Sequence, residues 1–193
     1  MKNIILLLIM IFCCDVALGK KSSKHNIIAN NTIIYTSSTN SVIEPNLADA
    51  FDAKIISNTY KDGKGIIKFN KKLTRINKDA FFCCTKLTSI ILPNSIVHIG
   101  DNAFSYCNAL TNIKISNNTL KIGNESFSGC TSITKIVIPK KVASIGDYAF
   151  AGCTSLKHVI SQNINAISGK TVFYNCKLLK NYKQLTQVNN HKR

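Results

Sequence analysis

Ile90-Ile91-Leu92-Pro93-Asn94-Ser95-Ile96-Val97-His98-Ile99-Gly100-Asp101-Asn102-Ala103-Phe104-Ser105-Tyr106-Cys107-Asn108-Ala109-Leu110-Thr111-Asn112 is one unit of an array. Its Phe recurs at 81, 104, 127, 150 and 173, and its Cys at 84, 107, 130, 153 and 176. Both series step by 23 residues four times, and every Phe stands three residues before its Cys. A fixed period of this length marks a repeat architecture in which each unit buries its apolar face against its neighbours.

The unit has a strand part and a turn part. Ile90 and Leu92 alternate with Ile91, as in a strand with one buried face, and Leu87 leads into them. Leu110, Ile113 and Ile115 repeat the pattern, as do Ile133, Ile136 and Ile138. Pro93 and Pro139 end their strands. Ile96 and Ile99, like Leu73 with Ile76 and Val142 with Ile145, return to the core. Gly100, Gly123 and Gly146 fall where the chain turns sharply, so positive φ is expected there. Asp101, Asn124 and Asp147 follow, placed to cap a short helical turn that carries the Phe and the Cys. A metal-binding carboxylate ladder is the weaker reading, because Asn124 interrupts the charge and position 78 is Lys.

The expected fold is therefore a solenoid of about 23 residues per rung, each rung one short parallel strand plus a turn or short helix. Inward positions then stack on their equivalents as ladders of Phe, Cys and Ile. Five rungs are expected over residues 66–180. Residues 20–65 read as a basic start (Lys20, Lys21, Lys24) and a β-rich N-terminal cap. Within it, Ile27-Ile28, Ile33-Ile34-Tyr35 and Ile55-Ile56 are candidate strands. Asn46 with Leu47, Ala50 and Phe51 suggests a helical turn, and Lys61-Asp62-Gly63-Lys64-Gly65 a hairpin turn. The fifth unit is irregular. Ile164 and Ile167 come one residue early, Ser161 replaces a buried aliphatic, and Ser168-Gly169-Lys170 replaces the Gly-Asp pair. Residues 181–193 form a polar tail.

Residues 1–19 read as a signal peptide. Lys2 supplies the positive start, Ile4 to Cys14 the apolar run, and Ala17-Leu18-Gly19 the cleavage motif. The run is too short to span a bilayer, and no later segment is long and apolar enough, so no transmembrane span is expected. Export leaves six cysteines, five of them at one repeat position. That regularity favours free, buried thiols over disulfides.

Two stretches, Leu-Thr-Ser-Ile-Ile-Leu-Pro-Asn-Ser-Ile (87–96) and Ile-Gly-Asp-Asn-Ala-Phe-Ser-Tyr-Cys (99–107), resemble the BspA-type leucine-rich repeat. Ile-Gly-Asp-Tyr-Ala-Phe-Ala-Gly-Cys-Thr-Ser-Leu (145–156) resembles it more closely still, and residues 55–69 look like the lead-in of some members. The resemblance covers residues 66–180. It implies a secreted or cell-surface protein, of the kind found in host-associated anaerobic bacteria and parasitic protists, that adheres to host matrix or to other cells. It carries no catalytic residues.

The residues themselves offer little chemistry. His25, His98, His158 and His191 make no metal-ligand spacing, Cys83-Cys84 is adjacent, and no phosphate loop or nucleophile elbow occurs. Neither an enzyme, a cofactor nor a metal is expected. Binding is the better candidate. Exposed strand positions form two stripes, Ser89, Asn112, Lys135 and His158, and Ile91, Lys114, Val137 and Ile160. Lys71, Lys72, Lys140 and Lys141 suggest a basic edge. With 25 Lys and Arg against 9 Asp and Glu, the charge of +16 suits an acidic protein surface or an anionic glycan. Nucleic acid fits the charge but is not expected, since an exported chain rarely meets it and aromatic interleaving is missing. The expected role is an adhesion or protein-binding module. The alternatives are a structural or decoy repeat protein without fixed ligand, and a charge-driven anionic-glycan binder.

Overall fold

In a computed structural model of the chain, residues 29–46, 48–167 and 171–179 are described. Residues 1–19, read above as a signal peptide, the basic start with Ile27-Ile28, residues 180–193, Leu47 and Ser168-Gly169-Lys170 lie outside the described residues.

The cap contributes β1 (Thr32–Ser37), β2 (Ile55–Lys61) and β3 (Lys64–Phe69). The repeats contribute β4 (Arg75–Ile76), β5 (Leu87–Ile91), β6 (His98–Ile99), β7 (Asn112–Lys114), β8 (Lys121–Ile122), β9 (Lys135–Ile138), β10 (Ser144–Ile145) and β11 (His158–Ser161). Long and two-residue strands alternate, so each rung crosses two sheets. The longer strands lie in the sheets β2-β3-β1-β5-β7 and β11-β9, the short ones in β10-β8-β6-β4. Parallel pairs join residues 23 apart: Ser89 with Asn112, Lys135 with His158, Arg75 with His98 and His98 with Lys121. One repeat is therefore one coil of the solenoid.

The core is the set of inward ladders. Phe81, Phe104, Phe127, Phe150 and Phe173 are buried and stack with centroid spacings of 5.2, 5.3, 5.2 and 5.5 Å. The first three pairs tilt by no more than 8°, whereas Phe173 tilts by 16°. Phe51 of the cap meets Phe81 edge-on at 5.8 Å, and Phe69 meets Phe51 in the same way at 4.8 Å. An edge-on ring ends a parallel stack without exposing its terminal face.

The Phe-x-x-Cys spacing has a direct cause. From Cys107 onward, each thiol of the ladder donates to the carbonyl of the Phe one rung earlier, whereas Cys84 faces the Glu44 carbonyl. Cys107 donates to Phe81 at 3.0 Å, Cys130 to Phe104 at 3.1 Å, Cys153 to Phe127 at 3.2 Å and Cys176 to Phe150 at 3.0 Å. The six described cysteines are free thiols. Burial pushes the Cys130 thiol up to about 12 and that of Cys84 to about 11, which keeps both protonated and unreactive.

Three local expectations need correction. The turn carrying Phe and Cys is not helical; among the described residues the helical segment is the 3-10 turn Ile164–Ala166. Alternate N–H groups reach across to the next rung instead, as Asn102 to Asn124, Phe104 to Ser126 and Tyr106 to Ser128. The N–H groups between them close turns within the rung, as Ser105 to Asn102 and Cys107 to Phe104. Second, positive φ falls not at Gly100, Gly123 or Gly146 but at Asp79, Asn102, Glu125 and Tyr148, and again at Cys83, Tyr106, Gly129, Gly152 and Asn175. The three glycines answer a different need, since a Cβ at Gly100 would lie 2.6 Å from the Asn77 carbonyl carbon. Third, Asp101 and Asn124 do not cap their own turns. Their Oδ1 atoms accept from the N–H of Asn124 at 2.8 Å and of Asp147 at 2.9 Å, one rung on.

The cap closes the open end. β1 runs antiparallel beside β5, pairing Tyr35 with Ile90 and covering the edge on which another chain could otherwise add. β2 and β3 form a hairpin through Asp62-Gly63, both at positive φ, the geometry of a two-residue primed turn. Gly65 lies inside β3, opposite Tyr35, whose ring occupies the space a Cβ would need. The Tyr35 hydroxyl donates to Asn58 Oδ1 at 2.9 Å and accepts from the Ile43 N–H at 3.1 Å. Residues 48–53 make turns and bends rather than a helix. This stretch lies under the first rung: the Asn46 N–H bonds Ala80, the Asn77 N–H bonds Ala50, and the Asp52 carboxylate accepts from the N–H groups of Thr74 and Arg75.

Among the described residues, one buried side-chain polar atom has no hydrogen-bond partner. Ser126 occupies a column otherwise filled by Ala80, Ala103, Ala149 and Val172, is wholly buried, and its Oγ makes no hydrogen bond. Ser126→Ala removes this desolvation cost without leaving a cavity. It is expected to raise stability by about 1 kcal/mol, read as a higher urea midpoint at unchanged slope; a lower midpoint would contradict the account.

Candidate functional site

The outward face of the longer strands is built by alternation. In β5, β7, β9 and β11 the inward positions are buried aliphatics, which forces the residues between them outward. Asn112, Lys114, Lys135, Val137, His158 and Ile160 are exposed there, with Val137 at 42% and Ile160 at 47%. Registers Ser89–Asn112 and Ile91–Lys114, then Lys135–His158 and Val137–Ile160, make the two stripes contiguous within each sheet. The paired ladder breaks between β7 and β9, which belong to different sheets.

Ser89 and Ile91 differ from the rest in being only half-exposed. β1 lies directly beside them, and the Ser89 hydroxyl is 2.6 Å from that of Thr36. The apolar stripe therefore continues into the cap: Ile91 pairs with Ile34, and Ile34 with Ile66. Sequence reasoning did not find Ile34 and Ile66 on this face. Neither lies on the 23-residue period, and the antiparallel insertion of β1 between β3 and β5 leaves no periodic signal.

Lys71, Lys72, Lys140 and Lys141 are all exposed, but the structure does not bring the two pairs together. They are three repeats apart, with Asn94-Ser95 and Asn117-Asn118 between them. Ser95 is buried and donates to Leu73, while Lys141 Nζ donates to Asn118 Oδ1 at 2.6 Å.

A continuous basic column lies elsewhere. On the short-strand sheet Arg75, His98 and Lys121 are successive register partners, followed by Ser144. Arg75 and Lys121 are exposed and His98 half-buried. Burial, then the charges of Arg75 and Lys121, hold the His98 imidazole below its ordinary value. An open groove of about 530 Å³ runs along the column. The signal was present in the sequence as the positions 75, 98 and 121, but three different residue types disguised it. Among the described residues no group of His, Cys, Asp and Glu could hold a metal ion, and no helix is long and apolar enough to cross a membrane.

In-register 23-residue rungs, a buried aliphatic strand pattern and an open strand face make a leucine-rich repeat solenoid. The BspA type leucine rich repeat region matches residues 54–180 in six copies, and the chain belongs to that family. It is similar to a leucine rich cell surface protein of Faecalibacterium prausnitzii, with 34% identity and a TM-score of 0.54. That similarity covers 57% of this chain and 29% of the other. The pneumococcal vaccine antigen PcpA shares the fold at 21% identity and a TM-score of 0.52, over 55% of this chain and 27% of its own. The chain thus spans under a third of either protein. No curated protein matches it. Members of this leucine-rich repeat family generally serve as binding modules.

Proposed function

We propose that this protein is a secreted or cell-surface adhesion module that binds another protein through the outward face of its longer strands. The observation that carries the reading is that face itself. Val137 and Ile160 stand exposed side by side, flanked by Lys135 and His158, on strands whose other side is locked into the core. Exposed aliphatics beside polar groups on a rigid sheet suit a protein partner, because they offer area to desolvate without ordering cost. The leader-like residues 1–19 and the similarity to a cell surface protein support a place outside the cell.

The test is binding of the purified protein to a panel of extracellular-matrix proteins at low and high salt. Binding through this face resists salt, and Val137→Glu weakens it more than tenfold while the melting temperature stays within about 2 °C. Binding that survives Val137→Glu and Ile160→Glu together would overturn the reading.

A further inference from the structure

We infer that the Arg75–His98–Lys121 column is a binding site for a linear sulfated polysaccharide, separate from the strand face and tightened by acid. The three side chains leave the same position of three successive rungs. Their spacing is that of neighbouring strands, about 4.8 Å. An evenly spaced file of cations matches a polymer with evenly spaced anions. Strand spacing is also close to the advance per sugar of an extended pyranose chain.

The groove beside the column has the form such a chain needs. Gly100 and Gly123 line it, so the backbone itself forms part of the floor. No Phe, Tyr or Trp lines it, so it lacks the stacking platforms on which single-stranded nucleic acid depends. Neither Arg75 nor Lys121 is in an ion pair among the described residues; the ion pair there joins Lys78 to Asp79 at 4.0 Å. Two carboxylates, Asp49 and Asp101, also line the groove, and Asp101 is engaged by the Asn124 N–H. The Asp52 carboxylate, at the start of β4, is occupied by Thr74 and Arg75 backbone groups. Lys78 also lines the groove but is paired with Asp79, which leaves Arg75 and Lys121 as the fixed cations available to an anion.

His98 makes the site respond to pH. Burial, and then the two fixed cations on either side of it, oppose its protonation. A sulfate ester laid across the column offsets that repulsion, and stays ionised throughout the range in which an imidazole titrates. Ligand and proton therefore favour each other, and lowering the pH adds the middle cation of the file. The groups facing His98 from the flanking strands are Arg75 and Lys121; Lys78 and the carboxylates of Asp49 and Asp101 complete the charged lining.

The experiment measures binding of a fluorescent sulfated hexasaccharide to the purified protein at pH 7.5 and pH 5.5, at constant ionic strength. Affinity is expected to rise at least fivefold at the lower pH. Arg75→Gln with Lys121→Gln should weaken binding more than tenfold at both. His98→Gln should leave affinity at pH 7.5 within about twofold and remove the gain at pH 5.5, whereas His158→Gln should retain it. In the unaltered protein, saturating hexasaccharide should raise the His98 imidazole pKa, followed by NMR. Unchanged binding by the double variant, an acid gain that persists in His98→Gln, or an unmoved His98 titration would overturn the proposal. Equal or tighter binding of an oligo-dT single strand would overturn the ligand class. None of these readouts depends on Val137 or Ile160, so this site and the strand-face reading can fail separately.

Discussion

Phe127→Ala is expected to lower stability by about 3–5 kcal/mol, the cost of deleting a buried aromatic ring and leaving its cavity. The ring is wholly buried between Phe104 at 5.3 Å and Phe150 at 5.2 Å, nearly parallel to both. Little can move in to fill the gap. Each neighbouring ring is already held by its own rung, whose backbone is tied to the rungs on either side. The position is also the centre of the array. In a nearly one-dimensional fold, stability is the sum of rung and interface contributions, and a central rung has two interfaces to lose. Urea denaturation gives the measurement. A loss below about 1 kcal/mol would mean that the stack is not what holds the rungs together.

Gly123→Ala should be the second largest, at about 3 kcal/mol, the upper part of the range for overpacking. An added Cβ would lie 2.6 Å from the Asp101 nitrogen and 2.6 Å from the Gly100 carbonyl carbon. Those are backbone atoms of the preceding rung, so relief requires the coils to part rather than a side chain to turn. The effect is steric and not conformational, because Gly123 is not among the residues at positive φ. Gly63 supplies the contrast. Its φ is +76°, but nothing lies within 4 Å of an added Cβ. Gly63→Ala should therefore cost only the left-handed backbone preference, about 1–2 kcal/mol. If Gly123→Ala proved as stable as the unaltered protein, the close approach of rungs at this corner would be wrong.

Much of the solenoid was legible because a repeat carries its own register. Once Phe104 is known to be inward, Phe127 and Phe150 follow, and so do Ile90, Ile113 and Ile136. The same logic located Val137 and Ile160 outside the core. It failed where the meaning of a residue depends on the rung above it. Phe-x-x-Cys reads locally as one turn of helix, whereas the N–H groups of that stretch alternate between their own turn and the next coil. Gly123 reads locally as a left-handed corner, whereas the constraint comes from Asp101 and Gly100. Ser89 and Ile91 read as free face, whereas β1 lies against them.

Periodicity alone specified coils of 23 residues and which side chains each coil buries. Those properties are periodic, and a period can be read without knowing what a rung touches. Tertiary structure alone decided how the array ends and what its surface offers. Phe51 and β1 close the first rung through contacts between segments with no common pattern. Arg75, His98 and Lys121 become a single charged file only because parallel pairing stacks them, turning three unrelated letters into neighbours one strand apart.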